Sequence, residues 1–144
     1  MKPEIKKMWI DALRSGEYKQ AFTMLMKFKT DEDLINNHYV PNETELKDAS
    51  YCCLGVLCDL YRKTTGENLW KKGFADFQFD NRSGTLPSKV RIWAELPTSN
   101  PLVKVNENEM SKLKPDLNKV GIAAINDVLG YNFNQIADII EEQL

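Results

Sequence analysis

The sequence predicts an α+β fold: one compact domain over residues 1–144, with four to five helices around a buried central helix at about 51–64, a small antiparallel sheet and a C-terminal αα-hairpin. Three observations carry that expectation. The run Y-C-C-L-G-V-L-C-D-L-Y, from Tyr51 to Tyr61, holds one acid, Asp59, and one glycine, Gly55, and its apolar side chains encircle a helix rather than stripe it. Apolar residues recur at helical spacing in segments on both sides of that run. Aromatic residues in the seventies alternate as they do in short strands.

Taken in order, residues 3–15 place Ile5, Met8, Trp9, Ala12 and Leu13 on one face and Lys2, Lys6 and Lys7 on the other, a first amphipathic helix. Pro3 suits its first turn, Gly16 its left-handed stop, and Arg14 sets a cation at the negative end of the helix dipole. Glu17, Tyr18, Lys19 and Gln20 follow as a polar turn with one aromatic. From Ala21 to Phe28 two patterns compete. Phe22, Leu25, Met26 and Phe28 allow a short helix, whereas Phe22, Met24, Met26 and Phe28 alternate as a strand. Residues 30–50, with T-D-E-D, N-N-H-Y, Pro41 and N-E-T-E, read as a loop or exposed connection and as a candidate lid.

In the central helix, Gly55 allows a neighbouring backbone to approach closely, at a cost of ~1 kcal/mol in helix propensity. Thr64, Thr65 and Gly66 close the helix. Phe74, Phe77 and Phe79 suggest one or two short strands between 68 and 80, with D-N-R-S-G as the turn after them. Pro87 opens a helix whose apolar face is Val90, Ile92, Trp93 and Leu96, and Pro97 stops it. Leu102, Val103 and Val105 suit a strand pairing with the seventies, and 106–114 read as a polar loop. Pro115 is expected to start a helix carrying Leu117, Val120, Ala124, Ile125 and Val128, ended by Gly130. Asn132 and Gln135 have the spacing of a capping box, and Phe133, Ile136, Ala137, Ile140 and Leu144 line the last helix.

Composition narrows the function classes. With 19 Lys plus Arg against 21 Asp plus Glu, the net charge of -2 offers no strong field toward nucleic acid or an anionic membrane. No apolar run approaches the ~20 residues of a spanning helix, and the N-terminus lacks the continuous apolar core of a secretory signal, so a cytoplasmic setting is expected. Three cysteines, two of them adjacent, suit reduced thiols in a reducing compartment.

Cys52, Cys53 and Cys58, with one distant histidine, His38, do not have the spacing of a zinc site or an activated nucleophile, and unpaired cysteine is commonly a core residue. The expectation is therefore no metal and no cofactor. Asp59 is either an exposed edge position or a buried carboxylate bonded to a backbone amide or an arginine. The segment A-A-I-N-D-V-L-G-Y-N-F-N-Q-I-A-D-I-I resembles the opening of a helix-turn-helix, but no recognition helix follows it. After Lys119 only acids carry charge, which argues against nucleic acid at this hairpin. Phosphate-loop, dinucleotide, zincin and nucleophile-elbow motifs are absent from the sequence. The remaining candidates are two aromatic and polar groups able to hold a small anion: Arg14, Tyr18 and Gln20 beside the first helix end, and Trp70 and Lys72 in the seventies.

Four blocks together resemble a family of small, uncharacterised proteins of tailed phages and prophages: W-I-D-A-L-R-S-G-E-Y-K-Q, Y-C-C-L-G-V-L-C-D-L-Y, L-P-S-K-V-R-I-W-A-E-L and I-N-D-V-L-G-Y-N-F-N-Q-I-A-D-I-I-E. The C-C-L-G-V-L-C-D-L block is the specific one. Family members tend to carry a glycine-containing short hairpin after Y-x-Q, where this chain has Ala21-Phe22-Thr23 and a longer insertion up to Ser50. The resemblance implies an accessory protein of the infected host cell and transfers no catalytic residues. The expected function is non-enzymatic binding of a host protein or a small anionic, nucleotide-like ligand, for example to counter host defence. A small nucleotide-processing enzyme and a nucleic-acid regulator are the alternatives, and Trp and Tyr, where exposed, would suit pairing into a homo-oligomer.

Overall fold

The computed structural model describes residues 1–28, 36, 38–110 and 119–144. The fold is α+β, and its elements run α1 (Pro3–Arg14), β1 (Lys19–Gln20), β2 (Met26–Lys27), α2 (Glu43–Asp48), β3 (Ser50–Tyr51), α3 (Cys53–Thr65), β4 (Trp70–Lys72), β5 (Phe77–Phe79), α4 (Ser88–Trp93), β6 (Leu102–Val103), α5 (Glu107–Met110), β7 (Val120–Gly121), α6 (Ile122–Asp127) and α7 (Phe133–Gln143).

Helix α3 begins where the Cys52 thiol accepts the Gly55 amide, and it ends at Gly66, whose left-handed φ of 80° suits a residue without Cβ. Every residue from Cys53 to Arg62 is buried. α1, α4 and α6 pack against α3, and α7 packs on α1. Gly55 is required by a close approach: a Cβ there would lie 1.8 Å from the Leu25 carbonyl oxygen. That same carbonyl accepts the Cys52 amide at 3.2 Å, so the segment before β2 is held against the start of α3.

The strands are short and form three sheets. β3 pairs in parallel with β1 and antiparallel with β2, which resolves the 21–28 ambiguity in favour of a strand at Met26–Lys27. β4 and β5 form an antiparallel hairpin in which Trp70 opposes Phe79 and Lys72 opposes Phe77, as the alternation predicts. The strand at Leu102–Val103 pairs with β7 and not with the seventies, because the edge of β4 is taken by the backbone of His38 and Tyr39.

Other expectations are corrected as well. The polar 30–50 connection contains a helix, α2, which Asn42 and Glu45 close at its start with a reciprocal capping box. The 106–114 segment contains α5, and Val120 lies in a strand, so the penultimate helix begins at Ile122. Pro115 and Leu117, the expected helix start, fall outside the described residues. The last helix starts as expected, with Asn132 and Gln135 exchanging both capping bonds.

Candidate functional site

Asp59 lies one turn before the end of α3's buried stretch and is 2% exposed. A carboxylate there requires partners, and the helix itself supplies two, because residues three and four positions on face the same way. Arg62 Nε donates to Asp59 Oδ1 at 2.7 Å, and Lys63 Nζ stands 3.6 Å from Oδ2. Two more donors arrive from distant segments. Tyr18, from the turn after α1, donates its hydroxyl to Oδ2 at 2.8 Å, and Trp70 Nε1 reaches Oδ1 at 3.4 Å. The network continues outward: Lys63 donates to the Tyr18 oxygen at 2.9 Å, and Arg62 Nη1 binds the Glu43 carboxylate of α2.

Above this cluster is a cleft of about 640 Å³ between α2 and α3, with Tyr18, Tyr51, Asp59 and Arg62 among its lining. Its other charges are Lys19, Lys47 and Lys63 against Glu17, Glu43 and Asp48. Tyr51 packs edge-on against Tyr18 with centroids 5.4 Å apart, and Lys63 covers the Tyr18 ring at 4.8 Å. The Tyr18 ring is thus already engaged, so recognition in the cleft rests on charge and hydrogen bonds more than on stacking.

Burial and then the Asp59 charge push the Tyr18 phenol far above its ordinary range, and the same two causes act on Tyr51. Both are held as neutral hydrogen-bond donors. Burial alone would lower Arg62, but the hydrogen bonds and charges of Asp59 and Glu43 raise it overall. The thiols are equally fixed: burial pushes Cys52 up to about 12 and raises Cys53 and Cys58 well above their usual value. Among the described residues no group of three or more His, Cys, Asp or Glu is arranged to hold a metal ion.

Of the five candidate ligand-binding residues, Arg14, Tyr18, Gln20, Trp70 and Lys72, Tyr18 alone lines this cleft, together with Asp59, which is the buried, arginine-bonded carboxylate and not an exposed edge position. Arg14 does have a packing duty: its guanidinium bonds Asp138 at 2.6 Å and Glu141 at 2.8 Å, fastening α1 to α7. Gln20 donates to Asn126 Oδ1 at 3.0 Å and to the Tyr131 carbonyl at 2.7 Å. Trp70 is fully buried and lies beneath the site, reaching Asp59 through Nε1 and packing against the Tyr51 ring with centroids 5.8 Å apart. Lys72 is 5% exposed, 5.7 Å from the Phe77 ring centroid, and lines a second, smaller cleft of about 230 Å³ with His38, Lys71 and Phe74.

Sequence reasoning missed two features. Glu43 stood inside an acidic run, and nothing local marks it as the partner of an arginine nineteen positions on. Asn126, fully buried, accepts from Gln20 and the Cys53 amide and donates to the Ala21 carbonyl. Its signal was present, as a lone amide in the apolar run A-A-I-N-D-V-L.

Fold and site together define a small α+β domain with a polar cleft set over a buried ion cluster. The chain belongs to the family described as Domain of unknown function (DUF8296), which it matches over residues 1–33 and 26–144. No curated protein and no solved structure matches it. No helix among the described residues is long and apolar enough to cross a membrane.

Proposed function

We propose that this is a phage-encoded accessory protein of the infected cell's cytoplasm that binds a small anionic, nucleotide-like ligand in the cleft beside α2, without turnover, and so counters host defence. The observation that carries the binding reading is the convergence of Arg62, Lys19, Lys47 and Lys63 on one cleft of about 640 Å³, within the usual size of small-molecule sites. A binding role also suits Tyr18, Tyr51 and Arg62, whose shifts all keep them protonated through neutral pH. The phage setting is supported by the four sequence blocks alone.

A host protein is the second reading, favoured by Phe74, 92% exposed between β4 and β5 and beside the smaller cleft. One capture experiment separates the two. Purified protein is passed through host lysate, recovered and denatured, and both released small molecules and bound proteins are identified by mass spectrometry. A small anion is expected from the wild type, from Phe74→Ala and from Arg14→Ala, and several-fold less from the Lys47→Ala/Lys63→Ala double variant. An anion yield that the double variant leaves unchanged would sink the cleft reading. A host protein lost only with Phe74→Ala would establish the second.

A further inference from the structure

Arg62 is held by two carboxylates of opposite character. The Asp59 side chain is 3% exposed and fixed by Tyr18, Trp70 and Lys63, whereas the Glu43 side chain is 80% exposed and, among the described residues, bonds Arg62 alone. The cleft lining is also electrically balanced, with Lys19, Lys47, Arg62 and Lys63 facing Glu17, Glu43, Asp48 and Asp59. An anion entering such a cleft meets four carboxylates unless one of them leaves.

We propose that Glu43 stands in for the ligand: its carboxylate occupies the place on Arg62 that a phosphoryl group takes when a phosphate-bearing polyanion binds. This deepens the cleft reading above and rests on it. Asp59 stays with Arg62 through Nε, keeping the guanidinium oriented, while Nη1 changes partner from Glu43 to a phosphoryl oxygen. Lys47 and Lys63, on the same cleft, match a ligand with more than one negative charge. The exchange needs only the Glu43 side chain to swing into water. Helix α2 is secured without it, by the Asn42 and Glu45 capping box, by the Tyr39 hydroxyl on Glu45, and by the Tyr51 hydroxyl on the Leu46 carbonyl.

The test is titration calorimetry of the full chain with inorganic pyrophosphate, comparing wild type, Glu43→Gln and Glu17→Gln. Glu17 lines the same cleft without bonding Arg62, so it controls for removal of any nearby charge. Glu43→Gln is expected to bind pyrophosphate on the order of tenfold more tightly than wild type, and Glu17→Gln to change affinity much less. Equal gains in the two variants, or no gain in Glu43→Gln while the wild type binds, would overturn the exchange and leave the cleft reading standing. Failure of all three proteins to bind pyrophosphate would overturn both.

Discussion

Asp59 gathers partners from three segments: Tyr18 from the turn after α1, Trp70 from β4, and Arg62 and Lys63 from its own helix. Removing one partner from a buried ion pair is costly because the other charge keeps its desolvation penalty. Asp59→Asn is therefore expected to lose about 3 kcal/mol of stability in urea denaturation, with the loss arising from an Arg62 that keeps the exposed Glu43 but has no buried counter-charge. The local half of this arrangement could be read in D-L-Y-R-K, since Arg62 and Lys63 follow Asp59 at helical spacing. The other half could not, because Tyr18 lies 41 positions and Trp70 11 positions away, and no periodicity encodes such a meeting.

At the scale of elements, α3 shows how one missing methyl group sets the distance between two segments. Its glycine lets the Leu25 carbonyl enter, and that carbonyl then serves the Cys52 amide. Gly55→Ala gains helix propensity but forces a methyl into a backbone oxygen, and overpacking of this kind costs about 3 kcal/mol when the obstacle cannot move. The expected result is a lower urea midpoint with unchanged helical content in the folded baseline; a neutral or stabilising substitution would mean that the two segments are free to part. The apolar face of α1, the all-round apolar run of α3 and the capping box of α7 made these helices legible. The two-residue strands β1 and β3 were not, and β2 stayed open between strand and helix, because so short an element is defined by its partner and carries no period of its own. The same reason explains the mispairing assigned to Leu102–Val103: β strands of equal propensity do not announce which edge is already filled.

Across the whole molecule, the three cysteines, which first suggest chemistry, shape the dependence of stability on pH. In the fold their thiols are held above the ordinary value, chiefly by burial, whereas in the unfolded chain they ionise near pH ~8.5. The folded state then binds protons more tightly, so this contribution is intact below that pH and is lost as pH rises through the window toward the folded values. Each thiol is expected to add a slope of about 1.4 kcal/mol per pH unit between roughly pH 9 and 11, visible as a falling urea midpoint and flattened by Cys52→Ala.

The pairing of α1 with α7 bears also on when the fold can form. Arg14 and its partner Asp138 are 124 positions apart, so α1 is translated well before the helix it packs against. Until then the face formed by Ile5, Trp9 and Leu13 has no complete cover. Closure of α1 thus waits for α7, and until then α1 is a segment that chaperones would meet uncovered.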